Sequence, residues 1–180
     1  MARSRVFGIG FHKTGTKSLA AALTQLGWRV TGSFGVHDPD IGTHALPEAL
    51  RLCEVYDAFQ DNPWPILFRE LDGEFPGSRF VLTLRPEASW IASTVRHFGD
   101  RATPMREWIY GAGCPAGNEA LYLERFRRHN AAVRDHFRDR PGDLLAIDFF
   151  AGHGWSELCG FLGAPVPPQP FPHVNAGRTE

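Results

Sequence analysis

The chain has 180 residues, 43% of them hydrophobic, and a formal net charge of −1 at pH 7. This length and apolar fraction fit a single globular domain over 1–180. The near-zero charge argues against nucleic acid or an anionic membrane surface as a partner, and no stretch reaches the about 20 apolar residues of a membrane span. Its three cysteines form no C-x-x-C pair, so we expect reduced thiols in a cytoplasmic protein.

Short apolar segments alternate with helical patterns along the whole chain. Strands are predicted at 5–9, 28–34, 56–61, 78–85 and 143–150, and helices at 16–26, 43–56, 64–75, 87–98, 118–138 and 155–163. The run "SRFVLTLR" at 78–85 is the strongest strand, because its continuous apolar character suits a buried parallel position. Residues 99–117 interrupt the pattern and are interpreted as a lid. The alternation predicts an α/β fold, a doubly wound, mainly parallel sheet flanked by helices.

The segment "GIGFHKTGTKSL" joins the first predicted strand to the first helix, where a doubly wound sheet binds ligands. The candidate binding residues in it are Lys13, Thr14, Gly15, Thr16, Lys17 and Ser18. The glycine permits close backbone approach, and the free N–H groups at the helix start favour an anion. The hydroxyl groups can donate hydrogen bonds and the lysines supply positive charge. The segment therefore predicts a phosphate site.

This order of residues resembles the phosphosulfate-binding loop of the sulfotransferases that use 3′-phosphoadenosine 5′-phosphosulfate (PAPS). In that family a lysine precedes the glycine, as Lys13 precedes Gly15 here. A second match is "FVLTLRPEASWIASTVRHF", which places Arg85 after a central strand and Ser93 on the next helix. The resemblance implies that the loop binds the 5′-phosphosulfate and that Arg85 and Ser93 bind the 3′-phosphate.

The resemblance covers most of the chain and extends to a bacterial and fungal branch of sulfotransferase-like proteins, through the tail "WSELCGFLGAPVPPQPFPHVN" among other segments. Two features of the cytosolic branch are missing. Its adenine-stacking tryptophan would fall near Ser18, and its glycine- and lysine-rich 3′-phosphate loop has only Gly177 and Arg178 as a poor substitute.

The resemblance implies an enzyme that moves a sulfuryl group from PAPS to a hydroxyl or amine of a small-molecule or glycan acceptor, giving 3′-phosphoadenosine 5′-phosphate (PAP). No metal is implied, and no histidine shows zinc-ligand spacing with a cysteine. Lys13 would stabilise charge on the bridging oxygen. The general base stays open between Asp61, which ends the predicted strand 56–61, and His37 or Asp38 after the second predicted strand.

The acceptor site is interpreted from less specific features. Candidates for an apolar acceptor pocket are Phe34, Phe59, Trp64 and Trp108. Arg101, Arg106 and the basic run "RFRRH" at 125–129 could attract an anionic acceptor.

Two other functions are compatible with parts of the sequence. The spacing from Gly10 to Gly15, followed by Lys17-Ser18, approaches the pattern G-x-x-x-x-G-K-[ST] of a P-loop kinase or nucleoside triphosphatase, with Asp148 after an apolar strand. In that pattern a lysine directly follows the second glycine, whereas here Thr16 follows Gly15 and Lys17 comes one position later. A sulfotransferase-like protein that binds PAPS or PAP without catalysis would carry the same phosphate motifs.

Overall fold

A computed structural model describes residues 4–174 and contains a five-stranded sheet with helices on both faces. The strands are β1 (Val6–Gly8), β2 (Val30–Thr31), β3 (Ala58–Phe59), β4 (Arg79–Thr83) and β5 (Leu144–Ile147). Their order is β2-β3-β1-β4-β5, and each neighbouring pair is parallel. The predicted α/β fold with a parallel sheet is confirmed. Because the chain winds away from β1 in both directions, the loop after β1 lies at a switch point, where such sheets bind ligands.

The helices follow the predicted alternation, with one addition. They are α1 (Thr16–Gln25), α2 (Ile41–Val55), α3 (Phe68–Glu74), α4 (Glu87–Phe98), α5 (Pro104–Tyr110), α6 (Glu119–His136) and α7 (Trp155–Leu162), with 3₁₀ turns at Trp64–Leu67 and Phe149–Ala151. The bounds of α4 are those predicted. The strands are shorter than predicted, and β4 ends at Thr83, so Arg85 lies in the connection to α4.

Alternating side chains of the strands divide the core between the two faces of the sheet. On one face, Val6 and Val81 pack with apolar residues of α1 and α7. On the other face, Phe7 and Phe80 pack with apolar residues of α2, α3 and α6, and their ring centroids lie 5.4 Å apart. The central strands β1, β3 and β4 therefore have both faces covered, as is typical of a parallel sheet.

The segment 99–117 is packed against the body of the protein and contains a helix that the sequence analysis does not predict, while its role as a lid stays a prediction. Helix α5 forms within it, with Thr103 as its N-cap and Pro104 at its first position. The side chains of Met105, Ile109 and Tyr110 are buried in a third apolar cluster. The Thr-Pro pair is the signal for a helix start that could have revealed α5 in the sequence.

Within residues 4–174, no helix is both long and apolar enough to cross a membrane. In the same range, no group of three or more His, Cys, Asp or Glu side chains is arranged to hold a metal ion. Cys53, Cys114 and Cys159 are free thiols, and burial raises the pKa of Cys53 to about 11.

Candidate active site

Two glycines fix the path of the loop between β1 and α1. A methyl group at Gly10 would overlap the Thr83 hydroxyl and lie 2.5 Å from the Thr83 carbonyl oxygen, so the loop touches the end of β4 there. Gly15 has a φ of 100°, and a Cβ on it would lie 2.7 Å from the ring of Phe149. Only glycine fits at these positions, because one has no room and the other also needs left-handed backbone.

The N-terminus of α1 faces this loop without a side-chain cap. Gly15 is the N-cap residue, so no side chain accepts from the first N–H groups, and the first turn contains no acidic residue. These N–H groups have no partner within the helix, and the helix dipole adds partial positive charge. This helix end can therefore bind an anion such as a phosphate.

Lys13 and Asp61 are the two non-glycine residues with positive φ among residues 4–174, at 65° and 71°. This conformation costs about 1–2 kcal/mol for a residue with a Cβ, so the surrounding contacts must hold it. The carbonyl of Lys13 accepts from Arg85 Nη1 at 2.9 Å, and the carbonyl of His12 accepts from Trp90 Nε1 at 2.9 Å. Two of the residues proposed for catalysis from the sequence, Lys13 and Asp61, thus share a strained backbone, which often marks functional positions.

Asp61 follows β3, the neighbour of β1, and its carboxylate lies against the start of α1. Oδ2 accepts a hydrogen bond from Thr16 Oγ1 at 3.2 Å, and Oδ1 accepts from the backbone N–H of Asn62 at 2.8 Å. Burial raises the pKa of Asp61 above its usual value, while these hydrogen bonds and the charges of Lys17 and Lys13 oppose the rise. A raised pKa makes this carboxylate a stronger base than an exposed one, as a proton acceptor requires.

Positive charges converge around Lys13. Burial lowers the pKa of Lys13, and the charges of Arg85, Lys17 and Arg96 lower it further, whereas Asp61 raises it. Burial and the charge of Arg96 also lower the pKa of Arg85. After burial, the neighbouring positive charges are the next cause of these shifts, as expected for cations that repel one another. A bound anion would relieve that repulsion.

Arg85 connects the loop to α4. Its Nε donates to Ser89 Oγ at 2.8 Å, while its Nη1 holds the Lys13 carbonyl. Ser93 is buried one turn further along α4, and Arg96 follows in the next turn. Sequence reasoning missed Ser89 and Arg96, although positions 89, 93 and 96 have the spacing of one helix face.

The hydroxyl groups of Thr14 and Ser18 have partners within the protein. Thr14 Oγ1 donates to the Phe11 carbonyl at 2.5 Å and shares a hydrogen bond of 2.6 Å with Thr83 Oγ1. Ser18 Oγ accepts from the backbone N–H of Val174 at 3.0 Å. Thr14 is fully buried, so its hydroxyl does not face a ligand. Lys17 is exposed.

The remaining candidates for the base lie after β2. His37 is exposed, whereas Asp38 accepts hydrogen bonds from His44 Nδ1 at 2.8 Å and from the backbone N–H of Asp40 at 2.9 Å. The hydrogen bond from His44 lowers the pKa of Asp38. A pocket of about 410 Å³ opens here, lined by Phe34, Gly35, Asp38, Ile41, His44 and Glu48. His37 is not part of its lining, and His44 was not among the residues predicted from the sequence.

The predicted aromatic pocket is only partly correct. Phe59 and Trp64 are fully buried in the core, with ring centroids 4.4 Å apart, and cannot contact an acceptor. Trp108 packs against the same core, and Phe34 alone lines the pocket. Aromatic residues that follow buried strands are more often core residues than ligand contacts.

The arginines expected to attract an anionic acceptor bind carbonyl groups of the protein instead. Arg106 is buried and donates to the carbonyls of Gly113 and Arg101, while Arg101 donates to those of Phe98 and His97. In the run 125–129, His129 is buried with Nε2 donating to the Ile9 carbonyl at 2.7 Å, and Arg125 donates to the carbonyl of Ile109 at 2.9 Å. Arg101, Arg127 and Arg128 are exposed, so the attraction of an anionic acceptor by these charges stays a prediction.

Asp148, the acidic residue of the nucleoside triphosphatase alternative, lies in the turn after β5. β4 separates β5 from the loop-bearing strand β1. The Asp148 carboxylate accepts from the backbone N–H groups of Phe150 at 2.9 Å and Ala151 at 3.3 Å, so it caps the turn after β5. Gly177 and Arg178, the substitute for the 3′-phosphate loop, lie outside the described residues.

An uncapped helix start at a switch point, surrounded by cations, is an arrangement with which an α/β protein can bind an anionic ligand. The sulfotransferase domain model matches residues 5–179. "Ava biosynthesis cluster protein M" from Aspergillus versicolor is 26% identical to the chain over 217 residues, which cover 94% of this chain and 80% of that protein. The chain therefore belongs to the sulfotransferase family, and the resemblance found in the sequence is confirmed. Family membership supports sulfotransfer activity in general.

Proposed function

We propose that this protein transfers the sulfuryl group of PAPS to a hydroxyl or amine of a small-molecule or glycan acceptor and releases PAP. The observation that carries the proposal is the contact between the two phosphate motifs, in which Arg85 Nη1 donates to the Lys13 carbonyl at 2.9 Å. It brings an arginine suited to the 3′-phosphate beside a loop suited to the 5′-phosphosulfate. A single ligand with both groups fits this pairing better than a nucleoside triphosphate, whose phosphates form one chain.

The residues around the loop suit sulfuryl transfer. The N–H groups at the start of α1 and Lys13 bind the 5′ end of PAPS, and Arg85 and Ser93 bind its 3′-phosphate. The acceptor oxygen attacks sulfur, the bond between sulfur and the bridging oxygen breaks, and Asp61 takes the acceptor's proton. Lys13 stabilises the negative charge that develops on the bridging oxygen, a contribution that matters most in the transition state.

The acceptor occupies the pocket after β2. Its volume of about 410 Å³ falls within the range of small-molecule sites, roughly 300–1,000 Å³. Phe34 and Ile41 give it an apolar wall, and the Phe34 ring contacts Trp64 at a centroid distance of 5.2 Å, three residues beyond Asp61. Asp38 and Glu48 at this pocket disfavour a negatively charged acceptor, so we expect an uncharged one.

PAP should stabilise the protein without added metal, and this experiment tests the proposed function. At a concentration about a hundredfold above its dissociation constant, PAP adds roughly 2.7 kcal/mol to the free energy of unfolding, which raises the melting temperature measurably. Thermal denaturation with PAP or Mg-ATP distinguishes the two ligand classes. A shift with Mg-ATP and none with PAP would contradict the proposal in favour of a kinase or nucleoside triphosphatase. Turnover of PAPS then separates an enzyme from a protein that only binds PAP.

Replacing Arg85 by alanine should weaken PAP binding more than binding of adenosine 5′-phosphosulfate, which lacks the 3′-phosphate. A charge-assisted hydrogen bond of this kind contributes on the order of 1.5–3 kcal/mol, or about 10- to 150-fold in affinity. Calorimetric titration of both ligands measures the difference. Ser89→Ala is the matched control, because it removes the Nε partner of Arg85 while keeping the charge. Equal losses for both ligands would assign Arg85 to holding the Lys13 carbonyl alone.

A further inference from the structure

Phe150 is an exposed aromatic side chain next to the proposed 3′-phosphate site. It is 53% exposed, and among the large exposed hydrophobic residues in the described part of the chain it alone is aromatic. The guanidinium carbon of Arg85 lies 4.2 Å from its ring centroid. Arg85 thus covers one face of the ring, and much of the remaining surface faces solvent.

The position of this ring is fixed by the turn that carries it. The Asp148 carboxylate accepts from the backbone N–H of Phe150 at 2.9 Å. The preceding residue, Phe149, is buried, contacts Gly15 in the loop and stacks on Phe171 at a centroid distance of 4.8 Å. Phe150 is therefore held out into solvent by a packed and hydrogen-bonded turn, which lowers the entropic cost of a contact made there.

The covalent structure of PAP places its adenine near the ring of Phe150 when Arg85 binds the 3′-phosphate. In PAP the 3′-phosphate and the adenine are attached to the same ribose, so an arginine that binds the phosphate has the base within one sugar ring of it. Nucleobases stack on exposed aromatic side chains, and each such contact contributes substantially to affinity. Phe150 is the exposed ring that touches Arg85.

We propose that Phe150 is the platform on which the adenine of the sulfuryl donor stacks. This proposal rests on the proposed function and adds to it how the base is recognised. Arg85 then contributes twice, through its hydrogen bonds to the 3′-phosphate and through the cation–π contact that positions the ring.

Calorimetric titration with PAP and with its abasic tetrahydrofuran analogue, which keeps both phosphates, tests the proposal. Phe150→Ala should weaken PAP binding by about tenfold and leave binding of the abasic ligand nearly unchanged. Phe150→Trp should bind PAP at least as tightly as the unchanged protein. Val166→Ala is the matched control, since it truncates an apolar side chain that is 59% exposed and belongs to neither phosphate motif.

Equal losses for both ligands in Phe150→Ala would overturn the stacking proposal alone, because the ring would then only support Arg85. Undiminished PAP binding in Phe150→Ala would overturn it as well. If the unchanged protein binds neither ligand, the proposed function fails and the stacking proposal fails with it. An unchanged melting temperature of unliganded Phe150→Ala shows that the variant is folded.

Discussion

Asp61→Asn is expected to lower the turnover number by about 10²–10⁴-fold and to leave PAP affinity nearly unchanged. Asparagine keeps the size of the side chain and tolerates the left-handed backbone at this position, where φ is 71°. It can still accept a hydrogen bond from Thr16 or Asn62, but it cannot take up the acceptor's proton. The measurement is PAP release from PAPS, with an acceptor found by screening phenols and aliphatic alcohols.

The pH dependence of turnover gives a second test of Asp61 as the general base. A base must be ionised, so turnover should fall as the pH decreases through the pKa of Asp61. Because burial raises that pKa, the fall should begin at a higher pH than for an exposed aspartate, and Asp61→Asn should abolish it. Asp38→Asn is the matched control at the same edge of the sheet. Normal turnover in Asp61→Asn with loss in Asp38→Asn or His37→Gln would transfer the role of base to the segment after β2.

Two buried histidines resist protonation, and we expect their contribution alone to lower the free energy of unfolding by about 4 kcal/mol between pH 7.5 and pH 5. Burial, together with the charges of Arg106, Lys13 and His97, lowers the pKa of His12 to about 3, and burial lowers that of His129 to about 4. Both start from an ordinary value of 6.5 in the unfolded chain. Their contribution is complete above that pH and is lost as the pH falls toward the folded pKa, by about 2 kcal/mol each at pH 5.

Urea unfolding at the two pH values measures this loss. His129→Gln should reduce it by about half, since glutamine cannot be protonated yet keeps an N–H donor for the Ile9 carbonyl. His37→Gln, at an exposed position, is the control and should leave the loss unchanged. An equal loss of stability in His129→Gln and the unchanged protein would contradict the assignment to His129.

The order of strands and helices could be predicted from the sequence because it depends on local apolar patterns. The run 78–85 and helix α4 carry strong signals of this kind, and both were identified. The segment of α5 carries fewer such signals, since its start depends on capping by Thr103, and the helix was missed. The length of each strand depends on the neighbouring strands with which it pairs, and these are distant in the sequence. Local apolar patterns therefore do not predict where a strand ends.

The sequence was enough to predict several residues of the candidate site, but not the contacts that their side chains make. Lys13, Arg85 and Asp61 were identified from motifs, and their roles stay predictions. Tertiary contacts decided the rest, as for the Thr14 hydroxyl, which lies between Phe11 and Thr83 instead of facing the ligand side of the loop. The contact between Thr14 and Thr83 joins residues far apart in the chain, so a motif read along the sequence cannot reveal it.

The contact between Gly10 and Thr83 determines how the donor specificity of this protein could be altered by directed evolution. Any side chain at Gly10 would push the end of β1 away from the end of β4, and those two strands lead to Lys13 and Arg85. A library that varies the whole loop would therefore consist mostly of variants in which the two phosphate motifs no longer meet. Codons for Lys17 and Arg96, which are exposed, can be randomised while codon 10 is held as glycine.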